Sequence, residues 1–470
     1  MVSKKQVAKV IDLSESTFKT CLDNLDQIKN IRLNKRPDLA ASGMLNFQIL
    51  LARRLYAIEE QYRITKKEFR ILNKRRQFLS TSYFKKRSTN LTNYLDALNQ
   101  CIRIGKEIGD CFAWFFYHRD QDLLDEHLKN ENDAHPTFGF GGKAEIEFLT
   151  RGAKIGDNYF TLYHGVTNYL RNGDFTIINL KTLRVNEIVE LKSKRIHENC
   201  MELRLFSIGK NKSFIDSLSS GVKVDTEKNL DNEVYIERLE KQMNRISETI
   251  KHQKLEKDDK PLLWGSNYLY DLESKLISLT ANQFHNFRVG KGHVCTYYKS
   301  TKKLSSILLN GYSVTNTKME EIHRMMNEIQ TELKELNHSL VSTTLYHTNN
   351  YIMPGTMPMY WHRINSKIIH DLYLQKSILN TIYNPAHFLK KLIEIGFTYE
   401  TKGKNLIIKK EIGNRTMVLK RYMFFVDLIS MKLFKEDTIA EMLKTLVKKI
   451  ENNEIEADEI TLKMSSLFQL

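Results

Sequence analysis

Apolar residues recur every three or four positions along the first 110 residues, then give way to short runs rich in β-branched and aromatic residues. Val7, Val10, Ile11 and then Phe18, Leu22, Leu25 keep helical spacing on either side of Asp12-Leu13-Ser14-Glu15-Ser16-Thr17, where Ser14 is placed to cap a second helix. The spacing predicts a helical N-terminal module over 1–110. After a helix-like Phe112–Leu128, Pro136 and Gly139-Phe140-Gly141-Gly142 break the pattern, and a short helix is expected over Lys143–Thr150. Four β-type runs follow: Tyr159–Tyr163, Phe175–Leu180, Glu187–Leu191 and Met201–Ile208. They mark 111–225 as a second module.

Two narrower apolar stripes come next. Ile236, Leu239, Met243, Ile246 and Ile250 lie three and four apart, as do Ile322, Met326, Ile329, Leu333, Leu336 and Leu340. Such a seam suits helix-on-helix pairing. It predicts a helical arm over 226–345, with an inserted β-like piece that includes His293–Tyr298. Helices 234–250 and 318–341 either pair with each other or form the interface of a homo-oligomer. The remainder, 346–470, mixes β-like and helical stretches and ends mainly helical. The chain reads as α+β and multidomain.

Charge adds to this picture. Lys and Arg number 72 against 56 Asp and Glu, a formal +16 over 470 residues, and such a field favours polyanions. The cations cluster between Arg53 and Arg87, interleaved with Tyr56, Tyr62, Phe69, Phe78, Tyr83 and Phe84. That composition suits phosphate contacts and equally suits a helix with its aromatics inward and its charges in water. The first helices also weakly resemble a DNA-reading helix-turn-helix, with Ala8, Leu13, Phe18 and Leu22 at packing positions and Asp12 where glycine is usual. A plain helical hairpin fits the same pattern. Six prolines and 20 glycines exclude a fibrous or low-complexity chain. Cys21, Cys101, Cys111, Cys200 and Cys295 form no C-x-x-C pair, so neither a zinc knuckle nor a disulfide framework is expected, which suits the cytoplasm. The most apolar run, Cys111–Phe116, is too short to cross a bilayer, so no membrane role is expected. Gly290-Lys291-Gly292 lacks the spacing of a phosphate loop.

The chemistry sits in Gly173-Asp174-Phe175-Thr176-Ile177-Ile178 and Glu187-Ile188-Val189-Glu190-Leu191-Lys192, two β-type runs joined by a short polar link. A hairpin is the natural reading. Glu190 and Lys192 are two apart and share a face, and the start of one strand lies beside the end of the next. Asp174 therefore meets both. Two carboxylates on one sheet edge need a counter-ion, and hard oxygens suit Mg²⁺.

This pattern resembles the PD-(D/E)xK, or restriction-endonuclease-like, nuclease superfamily, over about a hundred residues, although no proline precedes Asp174. The resemblance implies an α/β core with a mixed central sheet flanked by helices, and metal-dependent hydrolysis of nucleic-acid phosphodiesters. It makes Asp174 and Glu190 metal ligands, together with the carbonyl of Leu191, and Lys192 the catalytic lysine. Mg²⁺ is the expected ion, with Mn²⁺ able to replace it. The superfamily often adds a carboxylate from the preceding helix. Between Glu145 and Glu147, the helical phase of Ile146, Phe148 and Leu149 selects Glu145. Arg171, His164, Lys194 and Arg195 are candidate contacts to nucleic acid. The expected activity is a deoxyribonuclease on double-stranded DNA, an endonuclease before an exonuclease. By analogy alone, a nuclease core with large helical modules suits a bacterial restriction or anti-phage defence effector. The alternative is a non-catalytic nucleic-acid-binding or assembly protein that keeps a nuclease-like fold.

Overall fold

The computed structural model describes residues 1–33, 41–129, 140–152, 159–197, 200–209, 233–251, 267–312, 319–333, 336, 341–345, 357–402, 405–413, 415–419 and 422–452. The chain divides into two compact units: Met1–Glu256 with Lys302–Gly311 and Asn350–Trp361, and Lys257–Thr301 with Tyr312–Asn349 and His362–Leu470. Both contain helices and antiparallel sheet, so the α+β expectation is borne out.

The first unit opens with three long helices, α1 (Lys4–Leu33), α2 (Ala41–Lys74) and α3 (Thr81–Tyr117). Contacts fix their directions. Glu68 pairs with Arg87, and a Cβ on Gly105 would meet Leu55, so α2 and α3 run antiparallel. Val2 bonds Glu68 and Cys21 bonds Phe47, so α1 is antiparallel to α2. No turn interrupts α1. Ser14 caps nothing: it is buried mid-helix and its hydroxyl donates to Val10 O at 2.7 Å. Both the helix-turn-helix and the short hairpin are corrected by this, because the apolar phase of Val7, Ile11, Phe18, Leu22 and Leu25 stays on one face across the supposed turn.

The expected boundary at 110 falls inside α3. Its last turns, Ile104–Tyr117, are buried all round and form the axis of the unit's core. Phe112 packs on Phe47 at 4.3 Å, and Phe116 stacks on Phe160 at 5.0 Å. Helices α4 (Gln121–Leu128) and α5 (Phe140–Gly152) lead into a meander of β1 (Tyr159–Tyr163), β2 (Phe175–Asn179), β3 (Arg184–His197) and β4 (Cys200–Gly209). The strands lie in that order and every pairing is antiparallel. The mixed central sheet is therefore corrected to an antiparallel one among the described residues.

Helix α6 (Glu233–Lys251) packs on β3 and β4, with Leu239 and Ile246 buried. In the second unit α7 (Tyr268–Ser278) precedes a sheet ordered β5 (Phe284–Val289), β6 (His293–Lys299), β8 (Ser377–Tyr383), β7 (Val341–Leu345). Helix α8 (Leu304–Asn310), between β6 and β7, belongs to the first unit. Helix α9 (Met319–Thr331) sets Ile322, Met325, Met326 and Ile329 against Val294 and Ile382 of this sheet. The expected arm is thus not formed: each stripe faces a sheet in its own unit. The second stripe also stops being helical at Thr331, and Leu333 turns the chain at φ 56°. Leu340 lies outside the described residues. A second sheet, β11-β10-β9, comprises Arg415–Val418, Asn405–Ile412 and Thr398–Lys402. Helices α10 (Ser366–Tyr373), α11 (Ala386–Glu394), α12 (Tyr422–Lys432) and α13 (Glu436–Glu451) complete the unit. No described helix is long and apolar enough to cross a membrane.

Candidate active site at the end of the β2–β3 hairpin

Gly173 makes the site possible. It sits at φ +75°, and a Cβ there would lie 2.7 Å from Ile188 Cγ2 and 3.0 Å from Val189 O. Asp174 follows, immediately before β2. Its amide donates to Val189 O at 2.8 Å and its carbonyl accepts from His164 N at 2.9 Å, so its backbone is held from both sides. Phe175 pairs with Val189, so Asp174, one residue before it, comes beside Glu190, whose side chain shares a face of β3 with that of Lys192 two residues on.

The Asp174 carboxylate takes the amide of Leu191 on Oδ2 at 2.7 Å. In a strand the N–H and C=O of one residue point to the same side. The Leu191 carbonyl is therefore directed to the edge that Asp174 occupies. Lys192 Nζ reaches Glu190 Oε1 at 2.5 Å and Gln242 Oε1 of α6 at 2.7 Å. Glu190 is buried and Lys192 half-buried.

Glu145 approaches from α5, whose Phe148 and Leu149 are buried beside it. Tyr163 donates its hydroxyl to Glu145 Oε2 at 2.7 Å. The electrostatics tie the carboxylates together. Burial, then the charges of Glu190 and Glu145, push the Asp174 carboxyl well above its usual range. Burial also raises Glu145, followed by the charge of Glu190, while Tyr163, Lys106 and Lys192 oppose the rise. Of the two candidate glutamates, it is Glu145 whose charge reaches Asp174.

His164 is corrected from nucleic-acid contact to interior brace. Amides of Arg171 and Asn172 donate to His127 Nδ1 at 3.2 and 3.1 Å. His127 therefore carries its proton on Nε2, facing the Tyr117 hydroxyl at 3.2 Å. Tyr117 donates to Thr176 Oγ1 at 2.6 Å, and Thr176 to His164 Nε2 at 2.7 Å. His164 is then protonated on Nδ1 and donates to Gly173 O at 2.9 Å. Burial pushes its pKa down to about 3. The relay ends on the residue before Asp174 and fixes the turn. Arg171 is half-buried, its Nε donating to Asn168 O at 3.1 Å. Lys194 and Arg195 lie in β3, and their side chains fall outside the described residues.

Sequence reasoning missed Gln242, Tyr163 and Lys106. Gln242 stands next to Met243 in a stripe that predicted only a seam. Lys106 is fully buried in α3 and donates to Gly165 O at 2.6 Å and Thr167 O at 3.2 Å. Burial, against the charges of Asp110, Glu145 and Glu59, lowers its pKa to about 8. Gly109, one turn later, lets the β1–β2 connection touch α3: a Cβ there would lie 1.8 Å from Val166 O.

No group of three or more His, Cys, Asp or Glu among the described residues is arranged to hold a metal ion. The donor set at the hairpin end is instead two carboxylates and a carbonyl, with Glu145 engaged by Tyr163. These are hard oxygens in a partly buried, net-acidic cluster, which is the chemistry that suits Mg²⁺ or Mn²⁺. No family model, curated protein or solved structure matches the chain.

Proposed function

We propose that the first unit is a metal-dependent nuclease of the PD-(D/E)xK type that hydrolyses phosphodiester bonds, with DNA as its substrate. The observation that carries this reading is that Asp174, Glu190 and Lys192 lie together at the hairpin end, with Glu145 in the same field. Asp174, Glu190 and the Leu191 carbonyl are the residues that would hold Mg²⁺, which supplies an acidified water and stabilises charge developing on phosphorus.

The protein's own groups do the rest. Lys192 is a fixed cation, positioned by Glu190 and Gln242, that meets charge developing on a non-bridging oxygen. Tyr163 occupies one oxygen of Glu145 and leaves the other free to take a proton beside the cluster. The brace from His127 to Gly173 keeps Asp174 in place without reorganisation during reaction.

Incubating the full chain with supercoiled plasmid tests the proposal. Nicking or linearisation is expected with Mg²⁺ or Mn²⁺, is blocked by EDTA and is absent from Asp174→Ala. Equal cleavage by wild type and Asp174→Ala would remove this site from the reaction. A folded wild type that binds DNA but never cleaves it would favour the non-catalytic alternative.

A further inference from the structure

The α2–α3 hairpin extends well beyond the part of α2 that holds the sheet. Gln48 bonds β1 through Thr161 O at 2.6 Å and Tyr163 N at 3.1 Å. From Arg63 to Phe78, by contrast, only Thr65 and Leu72 are buried. At 1.5 Å per residue this stretch of α2 begins about 22 Å and ends about 39 Å along the helix from Gln48.

Its charge is one-sided. Between Arg63 and Arg87 ten Lys or Arg stand against one acid, Glu68. That acid is spent internally, on Arg87 and on the amide of Val2. Arg63, Lys67, Arg70 and Lys74 follow one another by four, three and four residues, so they form a single ridge about 16 Å long. Apart from the Arg63–Glu59 pair at 3.4 Å, none of the four has an ion-pair partner among the described residues. Arg75, Lys85 and Lys86 extend the charge around the turn and are also exposed.

We propose that this ridge is a second contact with the substrate, gripping the phosphate backbone of duplex nucleic acid away from the bond that is cut. The inference rests on the nuclease reading and adds a length requirement to it. The ridge spans about five base pairs, set about 7–11 base pairs from the level of Gln48 and Tyr163, at 3.4 Å per pair. A membrane is the weaker fit. A helix lying on lipid presents a continuous apolar face, and this stretch of α2 exposes only Ile64 and Ile71, seven residues apart. Phe78 at the turn, 77 % exposed, adds one apolar point.

The test compares wild type with a Lys67→Glu, Arg70→Glu, Lys74→Glu variant of the full chain, whose fold is checked by its melting curve. Binding to DNA hairpins of about 10 base pairs and duplexes of about 30 is measured by fluorescence anisotropy in EDTA, so that no cleavage intervenes. Wild type should bind the longer duplex at least about tenfold more tightly. The variant should lose that advantage, keep its affinity for the short hairpin, and show a log–log salt slope smaller by about 3. Unchanged binding of both lengths by the variant would overturn the inference. So would wild-type binding to phosphatidylserine vesicles that the variant loses while its DNA binding is unmoved, or no DNA binding by wild type at all. The two readings fail separately: cleavage without a length effect sinks the ridge, and a length effect without cleavage sinks the nuclease.

Discussion

Asp174 is held in a conflict of charges. Its backbone is pinned by Val189 and His164, its side chain is half-buried, and Glu190 and Glu145 share its field. A carboxyl whose folded pKa is raised above its unfolded value adds stability at low pH, and that stability is lost as pH rises through the folded value. Metal-free protein should therefore become less stable as pH rises above the ordinary carboxylate range. Asp174→Asn keeps an oxygen for the Leu191 amide and removes the ionisation. It should raise the melting temperature at neutral pH in EDTA by a few degrees, on the order of 1 kcal/mol, flatten the pH dependence and abolish cleavage. Differential scanning fluorimetry across pH checks this, and an equal or lower melting temperature for the variant would contradict it. The geometry behind the prediction was legible in the sequence, because strand alternation puts Glu190 and Lys192 on one face and hairpin pairing brings Asp174 beside them. The brace was not: His127, Tyr117, Thr176 and His164 come from four separate elements, and no spacing joins them.

Elements were legible where pattern and partner coincide. Tyr159–Tyr163 is the strand the sequence predicts, and the next three runs differ only at their ends, β3 extending furthest, from Arg184 to His197. The stripes on α6 and α9 were legible as buried and illegible as to what buries them, since periodicity describes one surface only. Strand β6 carries a testable consequence of burial. His293 is fully buried between the rings of Tyr268 and Tyr383, and neither ring nitrogen has a hydrogen-bond partner among the described residues. Burial lowers its pKa to about 3. A base with a depressed folded pKa contributes stability that is present above its unfolded value of 6.5 and lost as pH falls toward about 3. In that window the loss is on the order of 1 kcal/mol per pH unit. His293→Phe should remove this acid sensitivity from the unfolding of the second unit, and chemical denaturation at pH values above and below 6 measures it. An unchanged acid slope would mean that other groups set it.

The whole molecule is where the sequence was least informative, because the first unit is not continuous in the chain. Leu304 donates its amide to Glu15 at 2.8 Å, Tyr360 bonds Leu22 O at 2.9 Å, and Trp361 stacks on Phe115 at 5.3 Å with its indole N–H on Cys111 O at 3.0 Å. Domain limits drawn at 226 and 346 separate these groups from the core they complete. A fragment of 1–256 should therefore uncover Trp114 and Phe115 and lose about 3–5 kcal/mol for the missing tryptophan alone. It should melt several degrees below the full chain or fail to stay soluble, whereas a fragment as stable as the full chain would deny those segments a structural role. The central claim, that the hairpin end cuts phosphodiesters, is met most directly by Lys192→Ala in Mg²⁺. Lys192 is half-buried at the edge of the cluster, so its loss opens no large cavity, and affinity spread over many cations changes little when one is removed. Single-turnover cleavage should fall by about 10²–10³-fold while DNA affinity stays within about threefold. Cleavage at the wild-type rate, in a preparation shown free of other nucleases, would contradict the account.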